Sequence, residues 1–401
     1  AVKDFNARSP FWAPFLRNPD MPAEVRKKLE EELSALNAKI IEANESLKGV
    51  SDNLKKTSGI VPLSEEQTVT IEALPGRAFD TLSRAQVSMT GTTGAILPLS
   101  RHGSGTQSLS VVFLFESFLR EMLVKTYGSS SEPILTLEEP EAHLHPSAIR
   151  TLWRILQQMK GQEIIATHSG DLLAEVPFQS IRRLYRKDNK IDIRSIRKET
   201  LSDDDQRKLE FHVRYSRGEL FFARCWILVE GETEHHILTK LAKLMGGLFD
   251  LEKHGIRIIP AQHMGISVLL KVADDLGIAW HCLLDGDTTG MKIAASVRTA
   301  LYGRPETEHL TILAEDNIEL YLCKNGFGEV YENHVSDQKR GLITATSGND
   351  EYWKQVLNAK DGTPKPALAI EFMKLMEEKG LAAIPEEVKN VVETAVRLAR
   401  G

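Results

Sequence analysis

Cysteine is scarce in this chain, at three residues in 401: Cys225, Cys282 and Cys323. Each sits in an apolar strand-like or helix-like run, and their spacing matches no metal-ligand pattern. That excludes a disulfide-stapled secreted scaffold and a primase-type zinc site, and it points to reduced thiols in the cytoplasm. No apolar run approaches the roughly eighteen residues of a membrane span, and no secretory signal opens the chain. The dipeptide Gly-Lys is absent altogether, so the sequence holds no Gly-x-x-x-x-Gly-Lys-Ser/Thr loop to cradle nucleotide phosphates. An excess of positive charge is missing too. The net charge of −6 argues against wholesale coating of nucleic acid but leaves room for a local basic track.

What is present is ordinary and globular: 42% hydrophobic and 26% charged residues, in a length that suits two or three domains. The chain starts at Ala1 in mid-pattern, without an initiator methionine, and is expected to be a fragment of a longer protein.

Two stretches carry the chemistry. Cys225-Trp-Ile-Leu-Val-Glu-Gly-Glu-Thr-Glu234 begins as an apolar run of strand length and ends in acid and glycine. Leu283-Leu-Asp-Gly-Asp-Thr-Thr-Gly290 does the same. Such runs suit buried parallel strands. Glu230 closes the first strand and Glu234 follows about one turn into a helix. Asp285 and Asp287 flank Gly286, which permits a tight turn. Ligands of open α/β sheets bind beyond the carboxyl ends of strands. Four acids gathered there repel one another unless a hard cation neutralises them, and oxygen donors suit Mg²⁺ or Mn²⁺. The alternative is that these acids only cap the helices that follow. A Glu…Asp-x-Asp pair on two strands with another between them resembles the Toprim domain of topoisomerases, primases and some nucleases.

Further towards the start, Leu29, Leu33, Leu36, Ile40, Ala43, Leu47, Val50 and Leu54 alternate spacings of four and three. This predicts a helix from Pro22 to about Lys56. It suits either a coiled-coil arm that dimerises through a heptad seam or a helix packed on its own domain. Residues 67–75 alternate like a strand. Ser104-Gly-Thr-Gln107 leads a helix predicted over Ser108 to Leu123, and a Gly/Ser loop at a helix start offers N–H groups to an anion. A strand ends in Glu138-Glu139, followed by Pro-Glu-Ala-His143-Leu-His145-Pro146. A further strand, Glu163-Ile-Ile-Ala-Thr167, delivers His168-Ser169.

In this order, these segments resemble the signature, Walker B, D-loop and switch histidine of RecF/Rad50-like ABC ATPases. The resemblance implies that Ser104, Gly105 and Gln107 approach a partner's ATP. It makes Glu138, where Asp is usual, the Mg²⁺-associated acid and Glu139 the acid that orients the attacking water, with His168 as the switch. His143 and His145 fall in the D-loop position.

Between positions 182 and 198 come eight Lys/Arg against two Asp, read as a hairpin turning at Asp188-Asn-Lys190. Its alternation puts Ile191, Ile193 and Ser195 on one face and leaves the other wet, as a solvated sheet edge or a phosphate-contacting DNA track. A polar boundary at Ser202–Asp205 and a helix over Phe211 to Ala223 precede an alternation of strands (225–230, 256–260, 279–284, 309–314) and helices (232–245, 266–276, 290–301, from about 316). That pattern predicts a parallel sheet with right-handed crossovers. The last strand delivers Glu315, Asp316 and Glu319. Helices follow over Asp350–Leu357, Lys365–Glu378 and Pro385–Arg400.

ABC ATPase, Toprim and helical tail, in that order, resemble the OLD (overcoming lysogenization defect) nucleases over roughly residues 90–380. Ile318-Glu-Leu-Tyr-Leu322 resembles a further acidic motif of that family, and Lys365-Pro-Ala-Leu-Ala its late lysine motif. The implied fold is α/β: residues 1–205 as the C-terminal part of an ABC-type ATPase domain with a helical arm at about 22–57, 206–340 as a Toprim nuclease domain, and 341–401 as a helical region. The implied activity is a two-metal DNA endonuclease or nickase, coupled to ATP in the intact protein, with a homodimer implied in the manner of that family. Glu230, Asp285 and Asp287 would hold one Mg²⁺ or Mn²⁺, Glu234 and Glu319 the other, and Lys365 would stabilise phosphoryl charge. The other reading is an ATPase-like DNA-binding dimer without nuclease activity. A topoisomerase is disfavoured because no nucleophilic tyrosine domain is apparent.

Overall fold

The computed structural model describes residues 9, 13–17, 21–43, 87–90, 96–119, 132–159, 161–187, 190–216, 218–262, 264–360 and 365–400. The chain divides into two compact units, Ala1–Thr167 and His168–Gly401. Among the described residues, no helix is long and apolar enough to cross a membrane.

In the first unit, α1 (Ala23–Glu42) occupies the start of the heptad pattern. Its Val25, Leu29 and Leu36 are exposed, whereas Asn37 is buried. The expected continuation to residue 56 and the strand at 67–75 lie outside the described residues. A short antiparallel pair, β1 (Ser88–Thr90) and β2 (Ile96–Pro98), precedes α2 (Ser104–Phe118). This helix starts four residues before the expected position. Strand β3 (Ile134–Glu138) pairs in parallel with β4 (Gln162–Ala166), and α3 (Pro146–Leu156) makes the crossover. Alternation along β3 turns Leu135 inward, and the 3.6-residue period of α3 turns Leu152 and Leu156 to the same core, with Val112 of α2.

The second unit is built on a four-stranded parallel sheet of order β10-β9-β7-β8. Its strands are β7 (Cys225–Val229), β8 (Ile256–Pro260), β9 (Ala279–Leu284) and β10 (Leu310–Ile312). The unbroken apolar run of β7 has a simple cause: every residue is buried, because strands flank it on both sides and helices cover both faces. Trp226 and Leu228 face one core with Trp280, Cys282 and Leu284. Cys225, Ile227 and Val229 face the other. On the first face lie α4 (Asp203–Ser216), α6 (Ile266–Leu276) and α7 (Thr288–Thr299). On the second lie α5 (Glu232–Met245), α10 (Lys365–Lys379) and α11 (Glu386–Arg400). Two shorter helices, α8 (Ile318–Leu322) and α9 (Asp350–Ala359), complete that side. The strand between the two acidic strands in the chain, β8, lies at the outer edge, so β7 and β9 are direct neighbours. The three cysteines are buried free thiols.

Two expectations change. The helix expected over 211–223 instead runs Asp203–Ser216, followed by a 3₁₀ turn Glu219–Phe222. The triple aspartate is its first turn, where carboxylates meet the positive end of the helix dipole, rather than a boundary before it. The hairpin is present as β5 (Arg183–Lys187) and β6 (Lys190–Arg194), but its facing is reversed. Ile191 and Ile193 are 70% and 61% exposed. The basic side is the one that docks: the Arg183 guanidinium donates to the carbonyls of Ala223, Leu276 and Gly277. Three carbonyl acceptors, at the end of α6 and just before β7, anchor that face.

Candidate active site at the strand ends

Because β7, β9 and β10 run parallel, with Val229 opposite Leu283 and Ile312 opposite Leu284, the segments leaving them emerge at one edge of the sheet. Four of the five expected acids follow directly from β7 and β9. The fifth, Glu319, comes from the first turn of α8, which Asn317 caps by accepting from the Leu320 N–H at 2.8 Å.

Each acid has a defined anchor. Glu230 Oε1 accepts from the Asp285 backbone N–H at 2.8 Å. Glu234 is buried, and its Oε2 accepts from the Gly231 N–H at 3.0 Å, closing the first turn of α5. Asp287 caps α7, its Oδ1 accepting from the Gly290 N–H at 2.7 Å. Glu319 Oε1 accepts from the Thr233 hydroxyl at 3.2 Å. The capping roles weighed from the sequence are therefore real for Glu234 and Asp287. They do not use up these side chains, since a carboxylate offers about four lone-pair sites.

Asp285 is where the electrostatics concentrate. Burial, reinforced by the negative charges of Glu234, Glu230, Glu319 and Asp287, pushes its carboxyl up to about 8. Burial also raises Glu230, with Asp287 adding to the effect and the Asp285 N–H opposing it. All five expected acids thus share one electrostatic neighbourhood. An all-oxygen donor set that disfavours its own ionisation fits a hard divalent cation.

The glycines are required for close approach rather than for unusual dihedrals. A Cβ on Gly286 would lie 2.5 Å from the Leu313 carbonyl oxygen and 2.7 Å from that of Glu315, and the Gly286 N–H donates to Glu315 O at 2.8 Å. A Cβ on Gly290 would lie 2.1 Å from Asp285 O and 2.9 Å from Glu230 Oε1.

Glu315 and Asp316 point to other work. Glu315 pairs with Lys324 and Asp316 with Lys354. Lys365 opens α10, but its side chain lies outside the described residues. A lysine the sequence reading passed over, Lys360, lines a small cavity with Thr233, Glu319 and Tyr331. Its ammonium sits 5.5 Å from the centre of the Tyr331 ring. No local pattern marks Lys360; only the return of the chain after α9 brings it there.

Of the residues that resemble an ABC ATPase, Ser104–Gln107 form the first turn of α2 rather than a loop before it. Ser104 and Gly105 begin α2, and a Cβ on Gly105 would lie 2.8 Å from His143 O, so the signature-like turn packs on the D-loop-like turn. Gln107 braces this start by donating to the carbonyls of His102 at 2.7 Å and Ser100 at 3.3 Å. Glu138 ends β3, while Glu139 and His143 adopt positive φ. Strain at non-glycine residues of this kind is common at functional turns. His168 begins the second unit, its ring 6.4 Å from that of Phe222.

Comparison with known proteins agrees with this layout. Residues 26–219 match the family described as protein of unknown function DUF2813. Residues 221–287 match the TOPRIM domain of overcoming lysogenization defect protein-like sequences, a span that includes Glu230, Glu234, Asp285 and Asp287. The chain is 32% identical to YbjD of Escherichia coli (strain K12) over 305 residues, covering 76% of this chain and 54% of that protein. It is 34% identical to an OLD nuclease of Thermus scotoductus (strain ATCC 700910 / SA-01) over 145 residues, 34% of this chain and 26% of the relative. It is 24% identical to the endonuclease GajA of Bacillus cereus (strain HuB5-5) over 278 residues, 57% of this chain and 39% of the relative. The chain thus spans about half the length of YbjD and less of the other two. With both family matches in chain order, and the acids of β7 and β9 inside the second, the chain carries a Toprim domain of the OLD (overcoming lysogenization defect) type at residues 221–287.

Proposed function

We propose that the second unit is a divalent-metal-dependent DNA endonuclease or nickase. One observation carries the reading: Asp285 is half-buried among four other carboxylates, and its carboxyl is driven up to about 8. Carboxylates crowded together in a crevice mark a functional-site candidate, and a bound cation relieves their repulsion. Glu230, Asp285 and Asp287 would hold one Mg²⁺ or Mn²⁺, and Glu234 with Glu319 a second. Bound cations supply Lewis acidity towards a phosphodiester. The chain's own residues do the rest. Backbone amides fix the acids through Glu230, Glu234 and Asp287, so the donors are oriented before substrate arrives. Lys360, together with Lys365, offers positive charge to a phosphoryl group. The nuclease and endonuclease relatives support DNA as the substrate.

The boundaries 206–340 for the nuclease domain and 1–205 for an ABC-type ATPase part are included in the proposal, as are a homodimer and coupling to ATP in the intact protein. Ser104, Gly105, Gln107, Glu138, Glu139 and His168 would act on a nucleotide whose phosphates are cradled elsewhere. The test is incubation of supercoiled plasmid with the protein and Mg²⁺ or Mn²⁺, beside Asp285→Asn. Nicked or linear products from the parent protein alone are expected. An intact plasmid in every lane would leave a DNA-binding module without nuclease activity.

A further inference from the structure

The first two turns of α5 carry a second set of ligand atoms that the nuclease site does not use. Glu232, His235 and His236 bring one ligand atom each within 4.8 Å of one another. Their spacing of three and four residues stacks them on a single helix face. Glu234 lies roughly 200° around the helix from Glu232 and points the other way: it is buried on Gly231, whereas Glu232 is exposed. The two imidazole rings meet edge to face, with centroids 5.4 Å apart. Nδ1 of His235 is shielded from solvent and has no hydrogen-bond partner. A buried imidazole nitrogen in that state calls for a partner.

We propose that Glu232, His235 and His236 form a separate site for a borderline divalent cation of the zinc class. Two imidazoles and one carboxylate select Zn²⁺, Co²⁺ or Ni²⁺ over Mg²⁺, which prefers oxygen alone. Zinc is held at about 2.0–2.2 Å by nitrogen and oxygen donors, so small rotamer changes bring atoms already within 4.8 Å around one ion. Three protein ligands on a partly exposed face leave an outer position open to water or a further ligand. The face is distinct from the carboxylate cluster, yet the same helical turn supplies Thr233 and Glu234 to it. An ion here therefore clamps the turn from which that cluster is partly built.

The test uses the full, untagged chain with Co²⁺ as the probe, in excess Mg²⁺ to saturate the carboxylate cluster. Visible absorption reports Co²⁺ bound to imidazole, and equilibrium dialysis gives the stoichiometry. The parent protein and Asp285→Asn are expected to bind Co²⁺ alike, with Zn²⁺ displacing it and Mg²⁺ not. In the His235→Gln/His236→Gln double variant the band and the bound equivalent should disappear, while far-UV circular dichroism stays that of the parent. Glu232→Gln, on the exposed edge of the helix, should weaken binding at least tenfold and serves if the double variant does not fold. A parent protein without the band, a band surviving in both the His variant and Glu232→Gln, or a band lost in Asp285→Asn would each overturn the proposal.

Discussion

Glu230 Oε1 accepts from the backbone N–H of Asp285 at 2.8 Å, which latches the carboxylate ending one central strand to the first acid beyond its neighbour. The contact has two effects. It opposes the rise of Glu230 that burial causes, and it holds Glu230 beside the side chain whose ionisation it hinders. Asp285 is kept protonated by its neighbours, so its ionisation works against the fold.

The sign of that effect gives the first prediction. The folded-state value of Asp285 is about 8 against 3.8 for the free group. The protonated acid therefore favours the fold fully below about pH 4, and that contribution is lost as pH rises towards 8. Asp285→Asn mimics the protonated acid at every pH. In EDTA it should melt at or above the parent temperature at pH 8.5 and near it at pH 4.5. It should also lose the thermal shift that Mg²⁺ or Mn²⁺ gives the parent. A variant that melts lower than the parent at pH 8.5 would show that the aspartate is structural.

Gly290 supplies the second. Inside a helix, Gly→Ala ordinarily gains about 0.8–1 kcal/mol. Here the new methyl would lie 2.1 Å from the Asp285 carbonyl oxygen and 2.9 Å from Glu230 Oε1. The backbone oxygen cannot turn away, so the ends of β9 and α7 must separate, an overpacking cost of about 1–3 kcal/mol. Clash outweighs propensity. Gly290→Ala should lower the melting temperature and weaken the metal-induced shift, whereas Ala replacing Gly303, which has open space around it but φ of +86°, should lower the melting temperature and leave the metal response intact.

The sheet and the acids at its edge were legible in the sequence because each depends on short-range pattern. A short unbroken apolar run such as Cys225–Val229, closed by acid and glycine, suits a buried strand by its length and its flanks, and Glu230, Asp285 and Asp287 follow such runs directly. Hairpin facing was not legible. Alternation says which residues share a face, but Arg183 reaches carbonyls of Ala223, Leu276 and Gly277 that are distant in the chain, and this decides which face docks. Lys360 was hidden for the same reason. The placement of β8 at the edge rather than between β7 and β9 is likewise a matter of topology, which periodicity does not encode.

Acid should unfold the second unit through His281. Burial at 1% exposure lowers this imidazole to about 4 from 6.5; the Glu308 carbonyl, 2.9 Å from one ring nitrogen, opposes that shift without cancelling it, and the Thr311 hydroxyl lies 2.9 Å from the other. His309, lowered in the same direction by burial, adds to it. A group with a depressed folded value contributes stability above its unfolded value, and that stability is lost as pH falls from about 6.5 to 4, by roughly 1.4 kcal/mol per unit for each proton taken up. Urea midpoints at pH 7, 5.5 and 4.5 should fall steeply for the parent. For His281→Gln they should be lower at pH 7 but flatter with pH. Parallel slopes for the two proteins would remove His281 from the account.

The last prediction concerns nucleotide. This chain alone should neither bind nor hydrolyse ATP measurably, and should still cut DNA. Tight phosphate binding needs a nest of backbone N–H groups together with its lysine, and no Gly-Lys occurs in the sequence. The ATPase-like turn is nonetheless well formed: Gly105 packs on the His143 carbonyl, and Glu139 and His143 hold positive φ. That geometry suits a surface that meets nucleotide held by another lobe. The carboxylates, by contrast, all lie within residues 230–319, on a sheet whose four strands belong to the second unit. Calorimetric titration with a non-hydrolysable ATP analogue should give no heat of binding, while a plasmid nicking assay without nucleotide gives product. Micromolar binding would reveal a nucleotide site built from other residues. Cleavage that appears only with ATP would mean that the acids need the ATPase to complete them.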